Sequence, residues 1–386
     1  MTIKALDHAA TNPRIDRFLA ENQPVTPCVI IDLEIIAENF LNLKRAVPAG
    51  QIFYAVKANP APELLAQLVR DGSSFDTASR GEIELVLAAG ASGDRISFGN
   101  TIKKERDIAF AHQQGVKLFA FDSLPELEKI ARAAPGAKVF CRLLTEGEGA
   151  VWPLSRKFGC TVAMAEELLL KAKTMGVIPY GLSFHVGSQQ IDLMQWEKAI
   201  GTCAGLVKSL AQKGVELKLL NLGGGFPAHY HDPVAPLDNY GQQIMTSLTK
   251  YFGNDLPEII IEPGRGLVGD AGVLQTEVVL ISKKGDGDDR AWVYLDIGKF
   301  GGLAETMDES IQYRLVTPYA AEPSMPVILA GPSCDSADIL YEKTDYRLPT
   351  KLKVGDRIQI LSTGAYTTTY SSVGFNGFAP LKTYCI

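Results

Sequence analysis

The sequence predicts an α/β fold, a (β/α)₈ barrel joined to a second, all-β domain, and three observations carry that expectation. Short β-rich runs alternate with amphipathic helical patterns between about residues 50 and 266, as parallel βαβ construction requires. Eight such runs can be counted, the number that closes a barrel. After Gly266 the pattern changes to alternating strands separated by turn-rich joints, the texture of an antiparallel sheet. The expected domains are therefore a barrel over 32–266 and a C-terminal β domain over 267–386 that also takes in 1–31.

In chain order, PVTPCVIIDL (24–33) reads as a strand preceding the barrel and a candidate for the second sheet, and residues 32–46 read as a helix leading into the first barrel strand. The eight runs are IFYAVKA (52–58), SSFDTA (73–78), RISFGN (95–100), KLFAFDS (117–123), KVFCRLL (138–144), YGLSFHVGS (180–188), LKLLNLGGG (217–225) and EIIIEPGRG (258–266). Between them PELLAQLVRDG, RGEIELVLAAG and PELEKIARAAPG place apolar residues at spacings of three and four, with a glycine near each end, and read as outer helices. VLQTEVVLISKK, RAWVYLDIG and KLKVGDRIQIL supply the later strands.

Composition narrows the function classes. The 386 residues are 46% hydrophobic and 21% charged with a formal charge of −6, and no block of Lys or Arg offers a surface to nucleic acid or an anionic membrane. The N-terminus lacks an apolar leader segment and no run reaches the ~20 apolar residues of a bilayer span, so a cytoplasmic protein is expected. The six cysteines are scattered without a CxxC pair, which argues against a disulfide framework or a zinc site.

Polar residues concentrate at the C-terminal ends of the expected barrel strands: Lys57, Asp76, Asn100, Asp122, Arg142, His185, Gly223 to Gly225, Glu262 and Arg265. That rim is where barrel active sites are built. Lys57 ends an apolar run, so its amine is expected to face the barrel mouth and not bulk water; a desolvated lysine makes a good Schiff-base amine. Gly223, Gly224 and Gly225 after strand seven, with Gly264 and Arg265 after strand eight, suit a phosphate. Glu262 needs a cationic or N–H partner there, and a protonated pyridine nitrogen is one. These residues point to pyridoxal 5'-phosphate (PLP), with His185 flat on the ring and Ser188 reaching the phosphate.

FYAVKAN (53–59), SFHVGS (183–188), GGGFP (223–227), EPGR (262–265), GPSCDSAD (331–338) and GAYT (364–367) together resemble the fold-type III, alanine-racemase-like PLP decarboxylases of ornithine, lysine, arginine and diaminopimelate, over about residues 25–380. The resemblance implies decarboxylation of a basic amino acid, ornithine to putrescine or lysine to cadaverine. It makes Lys57 the Schiff-base lysine and His185 the ring-stacking residue, with Ser188, Gly225, Gly264, Arg265 and Tyr366 on the phosphate, Gly224 beside them, and Glu262 on the pyridine nitrogen. Asp76 and Arg142 match polar residues supporting that cluster. Cys334 matches the residue that protonates the substrate carbon after CO₂ leaves, and Asp335 the residue that binds the distal amine. In this family both reach the site of the second subunit of a head-to-tail homodimer.

One segment departs from the eukaryotic ornithine decarboxylase pattern, in which a Tyr-Asp-His stretch supplies a second acid for the distal amine. Here Glu305, Thr306, Met307, Asp308, Glu309 and Ser310 stand in its place, so Asp308 and Glu309 are both candidates, and FGGLAETMDE looks more like bacterial members. The diaminopimelate branch is disfavoured because acids stand where it needs a cation, and the racemase branch because it pairs the pyridine nitrogen with Arg. A non-enzymatic, antizyme-inhibitor-like homologue is disfavoured by the presence of Lys57, Glu262, Arg265, Cys334 and Asp335. Ornithine and lysine differ by one methylene, worth only ~1–3 kcal/mol to a pocket, and the sequence does not separate them. His229 and His231 read as a polar loop and not a metal pair, and GDGDD (285–289) as a charged hairpin tip.

Overall fold

The structure is a computed structural model that describes residues 12–152, 156–319 and 321–386. Residues 1–11, assigned by the sequence to the β domain, lie outside the described residues. The chain divides into two compact units, a barrel unit of residues 37–227 and 234–267 and a β unit of residues 12–36, 228–233 and 268–386.

Eight parallel strands close the barrel: Gly50–Ala55, Ser74–Thr77, Ile96–Phe98, Leu118–Phe121, Lys138–Arg142, Ile178–Ser183, Leu219–Asn221 and Glu258–Ile261. Closure comes from the eighth strand pairing with the first, with Ile260 opposite Gln51 and Ile261 opposite Ile52. Each strand overlaps one of the eight runs seen in the sequence but is shorter, because the C-terminal residues of each run lie beyond the strand end. Phe53, Ala120, Phe140, Tyr180, Leu219 and Ile260 form one buried cluster; burying a large apolar side chain of this kind contributes roughly 1.5–3 kcal/mol. Gly181 is required at its position, since a Cβ there would lie 2.5 Å from the Leu219 carbonyl oxygen.

The helices follow the sequence cues. Pro62–Asp71 starts on a proline and stops at Gly72, whose φ of 89° suits glycine and whose N–H caps Leu68 and Val69. Arg80–Ala88 begins at Ser79, whose hydroxyl accepts from Glu82 N. A buried ion pair braces the loops after strands three and four: Lys103 Nζ lies 3.0 Å from Glu126 Oε1 and donates to the carbonyls of Asn100 and Ala120. Burial draws the Lys103 pKa down to about 8, with Glu126 opposing the shift.

In the β unit, strands run in the order Leu315–Val316, Arg357–Leu361, Gly272–Ser282, Ala291–Leu295, Ser324–Ala330, Ile339–Pro349. The early strand Cys28–Ile31 pairs antiparallel with Gly272–Ser282 and parallel with Lys382–Cys385. Ile15, Leu19, Cys28, Ile30, Val273 and Leu361 form its core cluster. The last long strand is bulged: Tyr341 pairs with Leu329 and Tyr346 with Val327, so 342–345 face a single residue and lose their ladder partners. Ala228–Pro233, the loop after the seventh barrel strand, also belongs to this unit; His229 Nδ1 lies 2.6 Å from Asp270 Oδ2, an ion pair that the polar-loop reading of the histidines did not foresee. No helix among the described residues is long and apolar enough to cross a membrane.

Candidate active site

The first barrel strand stops at Ala55, and Lys57 stands in a single 3₁₀ turn, Val56–Ala58, with its side chain exposed. The strand thus stops two residues short of Lys57, a correction to the expectation that Lys57 ends it. The turn has local causes: Asn59 precedes Pro60 and is held extended, and Tyr54 Oη donates to the Asn59 carbonyl at 2.8 Å. The charge of Lys57 is felt by Asp76, Glu82 and Glu262, whose carboxyls it draws down against burial, and by His185, whose imidazole it lowers further.

Around it the groups are desolvated and mutually dependent. Burial, and then the neighbouring Glu262, push the Asp76 carboxyl well above the usual carboxylate range, while Lys57 and a 3.0 Å bond from Ser97 Oγ oppose the shift. Glu262 is half-buried and is also raised by burial; Asn221 Nδ2, 2.5 Å from Oε1, and the charges of Lys57 and Arg142 hold it down. His185 is pushed well below its ordinary value by burial and then by Arg142 and Lys57, so its ring is neutral near pH 7. Its Nδ1 accepts from Gly187 N at 2.9 Å, which puts the ring proton on Nε2.

The loops after strands seven and eight meet at the same rim. Glu262 N donates to the Gly223 carbonyl at 2.8 Å, and Gly223 N donates to Asn221 Oδ1 at 2.9 Å. A Cβ on Gly224 would lie 2.7 Å from the Glu262 carbonyl oxygen and 3.3 Å from His185 Nε2. Gly225, at φ 107°, would meet Val186 and the Gly187 carbonyl. Only glycine lets this backbone come so close to the site. Gly264 and Arg265 are buried beside it, and Arg265 Nε donates to Ser188 Oγ at 3.1 Å. An acid able to face a ring nitrogen, a neutral imidazole, an arginine with a glycine-lined cradle and a lysine amine together fit a phosphorylated pyridine aldehyde.

Two other rim residues do loop work. Asn100 donates to Ala78 O and accepts from Ile102 N, and Asp122 Oδ2 accepts from Gly159 N at 2.7 Å. Three residues absent from the sequence reading support the cluster: Asn221, Ser97 and Glu82, the last accepting from Ala78 N at 2.7 Å. A buried asparagine two residues before a glycine run was the available signal for Asn221.

The remaining candidates lie in the β unit. Cys334 and Asp335 are exposed on one loop, where Cys334 N donates to Asn376 Oδ1 and Asp335 Oδ1 accepts from Ala337 N. Buried Asp338 pins this loop, its carboxylate accepting from Lys299 N, Ser333 N and Ser333 Oγ. Asp308 is exposed, whereas the Glu309 carboxylate accepts from the backbone N–H groups of Glu342, Lys343 and Thr344 and from Thr344 Oγ1 at 2.6–2.8 Å. Tyr366 is half-buried at φ 57°. Among the described residues no cluster of His, Cys, Asp and Glu could hold a metal ion.

Comparison with known proteins agrees with this chemistry. Residues 33–269 match the family model described as pyridoxal-dependent decarboxylase, pyridoxal binding domain. The lysine/ornithine decarboxylase of Selenomonas ruminantium is 34% identical over 363 residues, 93% of this chain and 89% of that protein. The crystal structure of SrLDC with PLP and cadaverine superposes with a TM-score of 0.88 at 31% identity, covering 98% of this chain and 94% of that one. The lysine/ornithine decarboxylase of Vibrio vulnificus, solved with putrescine, gives a TM-score of 0.85 at 31% identity over 97% of each chain. The chain belongs to the pyridoxal-dependent decarboxylase family, and its barrel is that family's pyridoxal-binding domain.

Proposed function

We propose that the protein is a PLP-dependent decarboxylase of basic amino acids, converting L-ornithine to putrescine and L-lysine to cadaverine. The observation that carries this reading is the half-buried Glu262, placed by Asn221 beside the charges of Lys57 and Arg142 in a rim that also offers a glycine cradle and Arg265.

The bound cofactor supplies an electron sink for the bond between Cα and the leaving carboxylate. Lys57 would hold the cofactor through its amine, Glu262 would pair with its ring nitrogen and keep a proton there, and His185 would pack beside it. Asp76 and Arg142 set the charge balance around Glu262. Ser188, Gly224, Gly225, Gly264, Arg265 and Tyr366 would hold its phosphate. Cys334 Sγ delivers a proton to Cα where CO₂ has left, and Asp335, with Asp308 or Glu309, binds the distal ammonium through charge-assisted hydrogen bonds.

Cys334 and Asp335 act in the site of a second copy, so the working unit is a homodimer. Their exposure supports this, as does the apolar surface of Tyr370, Val373, Phe375 and Phe378 in the segment whose Asn376 bonds to Cys334 N. Six free cysteines suit the reducing cytoplasm. Steady-state CO₂ release from ornithine, lysine, arginine and diaminopimelate tests the reading: turnover of ornithine or lysine supports it, and turnover of diaminopimelate alone overturns it.

A further inference from the structure

We infer that Glu309 is a positioning residue, which anchors its turn to the bulged strand Ile339–Pro349 so that Asp308 is the acid presented to the substrate's distal ammonium. The inference deepens the functional reading above and rests on it. The sequence leaves the two neighbouring acids equivalent; the β unit separates them.

The separation follows from the bulge. Residues 342–345 stand opposite a single residue of Ser324–Ala330, so their N–H groups cannot all find ladder acceptors. The Glu309 carboxylate supplies the missing acceptors: Oε1 takes Glu342 N at 2.8 Å and Lys343 N at 2.7 Å, and Oε2 takes Thr344 N at 2.7 Å and Thr344 Oγ1 at 2.6 Å. Four donors on two oxygens commit the group. Burial raises its carboxyl, but these N–H and hydroxyl donors outweigh burial and leave it below the usual range, ionised and held.

A second attachment follows on the same strand. Tyr341 Oη donates to Ile311 O at 2.7 Å and accepts from Tyr313 N at 3.0 Å, and its ring stacks on Tyr346 at 4.3 Å. The chain is thus strapped at Glu309 and again at 311–313. At the first strap, Asp308 and Glu309 are consecutive non-glycine residues at φ 53° and 59°. One such residue is uncommon, and two in succession persist only when the surroundings over-determine them. The kink turns Asp308 outward, where it is exposed, with no hydrogen bond or ion pair to its carboxylate among the described residues. Glu309 uses its charge on the fold, while Asp308 keeps its own for a ligand; a primary ammonium is the partner this exposed acid suits.

The test uses the holoenzyme and compares Asp308→Asn, Glu309→Gln, Glu309→Ala and the double variant Asp308→Asn with Glu309→Ala. Two readouts are taken: KM and kcat for ornithine and lysine, and amide hydrogen exchange at 342–344. Asn tolerates positive φ, so Asp308→Asn should raise KM tenfold or more with little change in kcat and unchanged exchange. The Glu309 variants should speed exchange at these amides and raise KM, and Gln, which keeps one acceptor oxygen, guards against outright misfolding by Ala. The double variant should have the KM of Asp308→Asn alone within about twofold, the mark of one residue acting through another. A double-variant KM equal to the product of the single effects, or a raised KM in Glu309→Gln with unchanged exchange, would make Glu309 a direct substrate contact and overturn the inference. An unaltered KM in Asp308→Asn overturns it also. Failure of the functional reading is separately visible, as a wild-type enzyme inactive on both diamino acids, in which case the exchange data still decide whether Glu309 anchors the bulge.

Discussion

Asn221→Ala removes a side chain that connects Glu262 to the glycine loop. Asn221 is wholly buried, donates to Glu262 Oε1 at 2.5 Å and accepts from Gly223 N at 2.9 Å. A hydrogen bond to a charged group is worth ~1.5–3 kcal/mol and a neutral one about 1 kcal/mol. Alanine removes both and strands a buried N–H, so the barrel should lose about 3 kcal/mol, well above the median effect of a point change. The function should change in a defined direction as well. The Asn221 donor holds the Glu262 carboxyl down against burial, so its loss moves Glu262 ionisation upward and carries the acid limb of kcat/KM to higher pH. Urea unfolding of the apoprotein and a pH profile of the holoenzyme read the two effects independently. A stability change below about 0.5 kcal/mol together with an unmoved acid limb would refute the reasoning, since it would mean that water replaces Asn221 at no cost.

Three further outcomes are expected. Borohydride treatment of the PLP-loaded protein, followed by peptide mapping, should place the pyridoxyl group on Lys57 and on no other lysine. Lys57→Ala and Cys334→Ala should each be strongly impaired, and an equal, freely exchanged mixture should regain roughly a quarter of wild-type activity, because one of the two sites in each mixed dimer is intact; no recovery despite proven exchange removes the shared site. His229 is raised above 6.5 by its bond to Asp270, and Asp270, although burial opposes it, falls below 3.8 through the same bond. The His contribution is complete below pH 6.5 and fades as pH rises through the folded-state value; the Asp contribution is present above 3.8 and fades as pH falls. His229→Gln should therefore cost more at pH 5.5 than at pH 8.5, yet under about 1 kcal/mol, because the imidazole is 64% exposed and screened. Equal costs at both pH values would remove the pair as a source of stability.

The barrel was legible because eight short β-rich runs alternate with amphipathic helical patterns, and most of the runs carry polar or glycine residues toward their C-terminal ends. The same feature exposed Lys57, Glu262 and Arg265. What stayed hidden is whatever depends on contacts far apart in sequence. Asn100 and Asp122 look like site residues in one dimension, and only the positions of Ala78 and Gly159 show that they tie loops together. Asp308 and Glu309 are adjacent acids in the sequence; the bulge more than thirty residues later distinguishes them. The strand end at Ala55 was misjudged because the Tyr54 hydroxyl reaches forward to Asn59, a bond that no propensity encodes.

The pinning of the Cys334 loop by Asp338 also limits how this protein can change over generations. A Cβ at Gly298 would fall 2.1 Å from Asp338 Oδ1, and one at Gly331 would fall 2.4 Å from the same carboxylate. Neither glycine can therefore be replaced while Asp338 is present, and Asp338 cannot be lost without releasing Lys299 N and Ser333 N. The three positions are epistatic, with a preferred order: the aspartate must shorten before either glycine can grow. A lineage that takes that first step loosens the loop bearing Cys334 and Asp335 before it gains anything from the second. Drift toward a new substrate by this route passes through a poorer enzyme.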